Sequence, residues 1–320
     1  MIVHSAENSL IAALPGSERL GTDLAERLGG RRQLVEMRRF PDGESYVRIN
    51  GQLRDTPLVI VGPLDRPDEK LLPLLLLAAT ARELGATEVG LVAPYLAYLR
   101  QDRRFRPGEA VSAVHFARLL SDRFDWVVTI EPHLHRLRNL GDIYQVPARA
   151  VSAGRLIAAW IRANVQRPVI IGPDEESRQW VEPVAAAADA PFIVVRKCRV
   201  GDFHVEVSLP DLAAFRDRTP VVLDDIISTG GTVEQIVRML VGAGFPAPAS
   251  IAVHGIFAGD AYERIVNAGA KVIVTCNTIP HVSNAIDVTA HLAAAARAML
   301  ERTAEGWNER ASPSAIAVEQ

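Results

Sequence analysis

Short β-branched runs alternate with helical runs along most of this sequence, and few architectures accommodate that order. PLVIVG (57–62), EVGLVAPY (88–95) and WVVTIEP (126–132) are apolar throughout and bounded by Pro, Gly or charge. Strands buried on both faces have that composition. Between them, 68–84 and 110–121 predict helices, the first with acids early and Arg82 late, the second with Ala, Val, Leu and Phe at helical spacing. The pattern then returns. PVIIGPD (168–174), APFIVVRK (190–197), TPVVLDD (219–225), ASIAVHGIF (249–257) and AKVIVTCN (270–277) predict strands. Helices are expected over 177–188, interrupted at Pro183, over 232–241 and over 261–268. Such alternation predicts an α/β fold with mainly parallel sheets flanked by helices. Two halves of this kind meet near 147–154, so the expected domains are 1–150 and 151–302, followed by a flexible tail at 303–320 rich in Gly, Asn, Ser and Pro.

Bulk properties narrow the partners. The 320 residues carry 35 Lys and Arg against 38 Asp and Glu, a net charge of -3, so no bulk attraction to nucleic acid or membrane is expected. Two cysteines, Cys198 and Cys276, cannot make a disulfide framework, which fits a reducing cytoplasm. The opening MIVHSAENSL lacks the basic-then-apolar build of a signal peptide. The run LLPLLLLAATA (71–81) is too short to span a bilayer and is expected to be a buried amphipathic helix.

Ligands of open α/β sheets bind beyond the carboxyl ends of the strands. The polar residues there are Asp102, Glu131 with His133, Asp174, Lys197 with Arg199, and Asp224 with Asp225. The stretch VVLDDIISTGGT (221–232) is the most informative. A glycine-rich turn feeding a helix N-terminus presents backbone N–H groups to an anion. The hydroxyls of Ser228, Thr229 and Thr232 add hydrogen bonds around Gly230 and Gly231. No Lys follows the glycines, so this is not a Walker A loop. Asp224 and Asp225 would repel a phosphate but accept hydrogen bonds from a sugar diol. Ribose 5-phosphate has a diol at one end and a phosphate at the other.

This strand, acid pair and Thr-Gly-Gly-Thr loop resemble the phosphoribosyl-diphosphate binding loop. Five further stretches resemble, in order, segments of the ribose-phosphate diphosphokinase (phosphoribosyl-diphosphate synthetase) family: RRFPDGESYVRI (38–49), PYLAYLRQDRRFRPGEAVSA (94–113), VVTIEPHLH (127–135), GPD (172–174) and VVRKCR (194–199). The resemblance implies two phosphoribosyltransferase-like (Rossmann-like) domains. It also implies a magnesium-dependent enzyme of nucleotide biosynthesis that moves the diphosphoryl group of ATP onto the C1 hydroxyl of ribose 5-phosphate, releasing AMP. ATP would be held by Phe40, Asp42 and Glu44 of a flag hairpin near 38–49, by Arg100, Gln101, Asp102 and Arg103, and by His133. His133 and Asp174 would meet Mg2+, and Lys197 and Arg199 would act with His133 in catalysis. The flag implies at least a homodimer, or a higher oligomer such as a hexamer.

Four departures from the family pattern stand out. Glu131 replaces an Asp, His135 and Arg136 follow the histidine's neighbour, DEES (174–177) replaces a pair of glycines after the aspartate, and Cys198 replaces the middle Arg of KRR. Rival expectations are a phosphoribosyltransferase with an extra domain, which needs no ATP, a non-catalytic regulatory relative, and an enzyme for another phosphorylated pentose.

Overall fold

The computed structural model describes residues 6–134, 136–200, 204–208 and 212–302, with 196–200 and 204–208 as backbone alone. The expected tail at 303–320 and His135 therefore lie outside the described residues. Two compact units emerge. The first begins with β1 (Leu10–Ala13), α1 (Glu18–Leu28), β2 (Arg31–Gln33), and the pair β3 (Val35–Arg39) and β4 (Ser45–Ile49). It continues through β5 (Leu58–Val61), α2 (Pro67–Glu83), β6 (Val89–Val92), α3 (Ser112–Ser121), β7 (Trp126–Ile130) and β8 (Ala148–Val151). The second, Ser152–Val288, holds α4 (Gly154–Asn164), β9 (Pro168–Gly172), α5 (Arg178–Ala188), β10 (Phe192–Val194), β11 (Arg196–Val200) and β12 (His204–Ser208). After these come β13 (Thr219–Ile227), α6 (Gly231–Gly242), β14 (Ala249–Gly255), α7 (Ala261–Asn267), β15 (Val272–Cys276) and β16 (Asn284–Ile286). A last helix, α8 (Thr289–Leu300), closes the described chain.

Each unit is a six-stranded sheet in which every adjacent pair is parallel, in the order β2-β1-β5-β6-β7-β8 and β10-β9-β13-β14-β15-β16. The α/β expectation and its parallel sheets are found. The central strands β5, β6, β7 and β14 are buried at every position, as parallel sheets covered on both faces require. In the first unit Ile11, Leu58, Ile60 and Leu91 are fully buried, and each fully buried aliphatic side chain contributes roughly 1.5–3 kcal/mol. Gly90 pairs in register with Trp126, and a Cβ there would lie 2.0 Å from the Trp126 ring, so the buried indole requires glycine on the neighbouring strand. In the second unit Ile171, Val222, Ile227, Val233, Ile236, Val237 and Leu240 join one core under α6.

Several expectations change. α5 runs unbroken through Pro183, as α2 does through Pro73. A proline inside a helix forfeits a backbone hydrogen bond and costs about 3 kcal/mol in isolation. The buried stripes Val181, Val184, Ala185, Ala188 and Leu74, Leu77, Ala78, Ala81 offset that cost. The leucine-rich helix is not cleanly amphipathic, because Leu72 and Leu76 are 58% and 39% exposed. The expected single strand 190–197 is two elements. β10 pairs in parallel with β9, then the chain turns at Val195, whose N–H donates to Gly172, and β11 pairs antiparallel with β12. Lys197 and Arg199 thus stand on the first strand of an antiparallel pair. The last helix groups with the first unit although it follows the second in sequence, in contrast to a boundary at 302. It packs on α1, where Arg297 donates to the Arg27 carbonyl at 2.7 Å. Among the described residues no helix is long and apolar enough to cross a membrane.

Candidate active site

The loop expected to hold a sugar phosphate is built where β13 meets α6. Val221 to Leu223 are fully buried between β9 and β14, which fixes the strand, and the chain then presents Asp224 and Asp225 at its half-buried end. The Asp225 N–H donates to Asp224 Oδ1 at 3.0 Å. Burial first, then the Asp225 charge and its side-chain hydrogen bond, then the charge of Asp174, hold the Asp224 carboxyl well above the usual carboxylate range. β9 ends beside β13, with Val222 opposite Ile171, so Asp174 follows on the same edge as the acid pair. The charges of Asp225 and Asp174 thus both bear on Asp224.

Past Ile227 the backbone turns through Ser228 and Thr229 to Gly230, which takes φ +72 and stands at the N-cap of α6. A Cβ on Gly230 would meet Ile265 and Ala261 at 3.1 and 3.2 Å, so glycine is required by both torsion and contact. The first intrahelical bond is Glu234 N–H to the Gly230 carbonyl at 2.8 Å. The N–H groups of Gly231, Thr232 and Val233 therefore have no acceptor within the helix, the condition for holding an anion.

The first unit carries the residues expected to meet ATP. Phe40, Asp42 and Glu44 lie in the turn joining β3 and β4, where the Phe40 N–H donates to the Glu44 carbonyl at 2.8 Å. Asp42 Oδ1 accepts the Glu44 N–H at 3.1 Å. Phe40 is 40% exposed, its ring meets Tyr46 edge-on at 5.9 Å, and the Arg38 guanidinium lies over both rings. The RQDR residues follow β6 in a loop rather than on a strand. Tyr98 turns the chain into that loop at φ +62, donates its hydroxyl to Asp68 and packs on Phe116. Arg100 and Arg103 are exposed. Gln101 accepts from the Ser112 hydroxyl at 2.8 Å and ties the loop to the start of α3. The Asp102 side chain is only 3% exposed and accepts Arg136 at 3.0 and 3.4 Å. Its carboxylate orders the loop, a role that its place in a charge run does not reveal.

His133 is half-buried and follows β7 by way of Glu131, which adopts φ +33. That left-handed position is easier for Asp than for Glu. In DEES, Asp174 Oδ1 accepts the Ser177 N–H at 3.1 Å and caps a 3-10 turn over Glu175–Ser177. Glu175 binds Arg178 through two contacts, 2.5 and 3.3 Å, so its charge is matched within its own turn. The side chains of Lys197, Cys198 and Arg199 lie outside the described residues. Sequence reading did not single out Arg264, whose guanidinium reaches the carbonyl of Thr229.

Residues 9–123 match the N-terminal domain of ribose phosphate pyrophosphokinase, and 139–291 match the phosphoribosyl transferase domain. A ribose-phosphate pyrophosphokinase of Methanopyrus kandleri is 34% identical over 288 residues, 89% of this chain and 98% of the relative. The chain belongs to the ribose-phosphate pyrophosphokinase family. The enzyme of the same name from Saccharolobus solfataricus is also 34% identical, over 77% of this chain and 84% of its own. The phosphoribosylpyrophosphate synthetase of Mycobacterium smegmatis superposes with a TM-score of 0.81 over 92% of this chain and 99% of its own, at 24% identity, which supports the fold. The family of enzymes expected from the six motifs is therefore the one to which this ribose-phosphate pyrophosphokinase homologue belongs.

Proposed function

We propose that this protein transfers the diphosphoryl group of ATP to ribose 5-phosphate, giving 5-phosphoribosyl 1-diphosphate and AMP. The observation that carries the reading is the end of β13, where Asp224 and Asp225 precede, by a four-residue stretch, the glycine-capped start of α6. Asp224 and Asp225 would accept the ribose 2- and 3-hydroxyls. Ser228, Thr229, Gly230, Gly231 and Thr232 would hold the 5-phosphate. In the reaction the C1 oxygen forms a bond to the β-phosphorus, the bond from that phosphorus to the bridging oxygen breaks, AMP departs with that oxygen, and the hydroxyl proton passes to solvent. Catalysis of such transfers rests on positioning and charge stabilisation.

Phe40, Asp42, Glu44, Arg100, Gln101, Arg103 and His133 are proposed to bind ATP, with Asp102 acting through its pair with Arg136. Lys197 and Arg199 would stabilise the transferring group with His133. Asp174 and His133 are the proposed Mg2+ residues. The residues fit such an ion, because the crowded carboxylates that raise Asp224 favour a neighbouring divalent cation. Among the described residues no group of three or more His, Cys, Asp or Glu side chains could hold a metal ion by itself. Magnesium, when bound, would neutralise phosphate charge during transfer. The flag residues are proposed to serve a neighbouring copy, in a homodimer or hexamer, and the reaction is assigned to the cytoplasm.

Phosphorus NMR with magnesium, ATP and ribose 5-phosphate, each omitted in turn, tests the reading. AMP together with a new diphosphate on C1 is expected. ADP with a singly phosphorylated C1, or binding without turnover, would replace it with a sugar kinase or a regulatory relative.

A further inference from the structure

Three successive carbonyls of the sugar-phosphate loop are held by one segment, 256–264. Ile227 O accepts the N–H groups of Ile256 and Phe257 at 3.0 and 3.1 Å, and Ser228 O accepts that of Ala258 at 3.0 Å. Thr229 O accepts Arg264 Nη2 at 2.5 Å. In a planar trans peptide the C=O and the following N–H point in opposite directions. Holding these carbonyls on one side therefore turns the N–H groups of Ser228, Thr229 and Gly230 to the other, adding to the open donors at the start of α6. The segment is itself anchored. Phe257, at φ +45, packs on His281 at 4.5 Å and Tyr262 at 5.3 Å, while Ala261 and Ile265 back Gly230.

The first two carbonyls are held by backbone, the third by a side chain. Arg264 is gripped in turn by Glu234 Oε2 at 2.8 Å and Asp260 Oδ1 at 2.9 Å, and Glu234 also receives Arg238. We infer that Arg264 is a positioning residue for the phosphate end of the ribose 5-phosphate site, fixing the Thr229–Gly230 peptide so that the Gly230 N–H faces the phosphate. The inference rests on the substrate assigned above.

Calorimetric titration of the full chain with ribose 5-phosphate and, separately, with magnesium-ATP tests this, alongside steady-state kinetics. Arg264→Ala is expected to weaken ribose 5-phosphate about tenfold, the size of one charge-assisted hydrogen bond, in both Kd and KM. ATP affinity and kcat at saturating sugar phosphate stay near wild type. Arg264→Lys restores part of the affinity, and Glu234→Gln, which loosens the grip on the guanidinium, weakens it about threefold. Unchanged sugar-phosphate affinity in Arg264→Ala, or equal losses for both substrates, overturns the positioning role. Should Arg264→Ala not fold, unchanged affinity in both Arg264→Lys and Glu234→Gln overturns it instead. Wild-type protein that ignores ribose 5-phosphate removes the substrate assignment and this inference with it, whereas a selective defect in the variants separates the two.

Discussion

The two units follow one chain path yet begin the helix after the third sheet strand in opposite ways. In each, the first strand lies second in the sheet, the next forms the edge, an antiparallel pair follows, and four strands then fill the other side in order. Each also carries a helix packed on the first crossover helix. In the second unit it is α4 on α5, and in the first it is α8 on α1, supplied from the far end of the chain. The difference lies in the turn after the third strand. In the second unit, β13 delivers two acids and a Gly230–Gly231 start to α6. In the first, β5 leads to Arg66 at φ 49 and then Pro67 at the first helical position of α2. Proline has no N–H, and Asp68 and Glu69 fill the first turn with negative charge. Lys70 Nζ lies there already, bound to Pro63 O at 3.0 Å and Asp65 at 2.5 Å. One topology thus yields a glycine-capped helix start with open N–H groups and a self-neutralised one, and a handful of side chains decides which.

The sharpest test of that contrast is Asp224→Asn. It keeps the shape of the acid pair and removes the charge proposed to hold the ribose, so kcat/KM should fall on the order of tenfold to hundredfold. Stability should move the other way. The wild-type carboxyl titrates above its ordinary value of about 3.9, so its favourable neutral form is fully present below that pH and is lost as pH rises through the raised value. Asn should therefore match wild type near pH 4 and exceed it by about 1 kcal/mol near pH 7, read from denaturant midpoints.

Importing the first unit's device into the second is the next test. Gly231→Pro places proline at the first helical position after a left-handed residue, the arrangement that Arg66 and Pro67 already show. Losing one N–H donor should weaken ribose 5-phosphate roughly tenfold with little change in stability, measured by calorimetry and thermal melting. Wild-type affinity would mean that the α6 donors do not hold the phosphate.

The smallest effect is expected in the first unit. Lys70→Met should cost about 1 kcal/mol through the loss of its bonds to Pro63 and Asp65, and leave ribose 5-phosphate affinity unchanged. A change in that affinity would end the contrast between the two helix starts.

Much of this was legible without coordinates. The buried runs predict parallel α/β units because a strand covered on both faces has no place for polar residues, and β5, β6, β7 and β14 obey that rule. The strand, glycine turn and helix start at 219–242 were legible because their signals lie in one contiguous stretch. Other features lacked a local signal. Leu10–Ala13 is too short to declare a strand until β2 and β5 flank it. Pro183 reads as a break because local propensity counts its cost and not the buried stripe that offsets it. Arg136 and Asp102 are separated by 34 residues, Arg264 and Thr229 by 35, so each partnership exists only after folding.

By itself, then, the sequence determined the alternation of elements, the parallel sheets and the position of the acid pair and glycine turn, since each depends on neighbours along the chain. Tertiary structure alone decided that α8 completes the first unit, that Asp102 is held by Arg136, and that the segment at 256–264 orders the loop's peptides. Those outcomes depend on hydrogen bonds and packing between residues far apart in sequence, whose pairing is set only when the sheets bring them together.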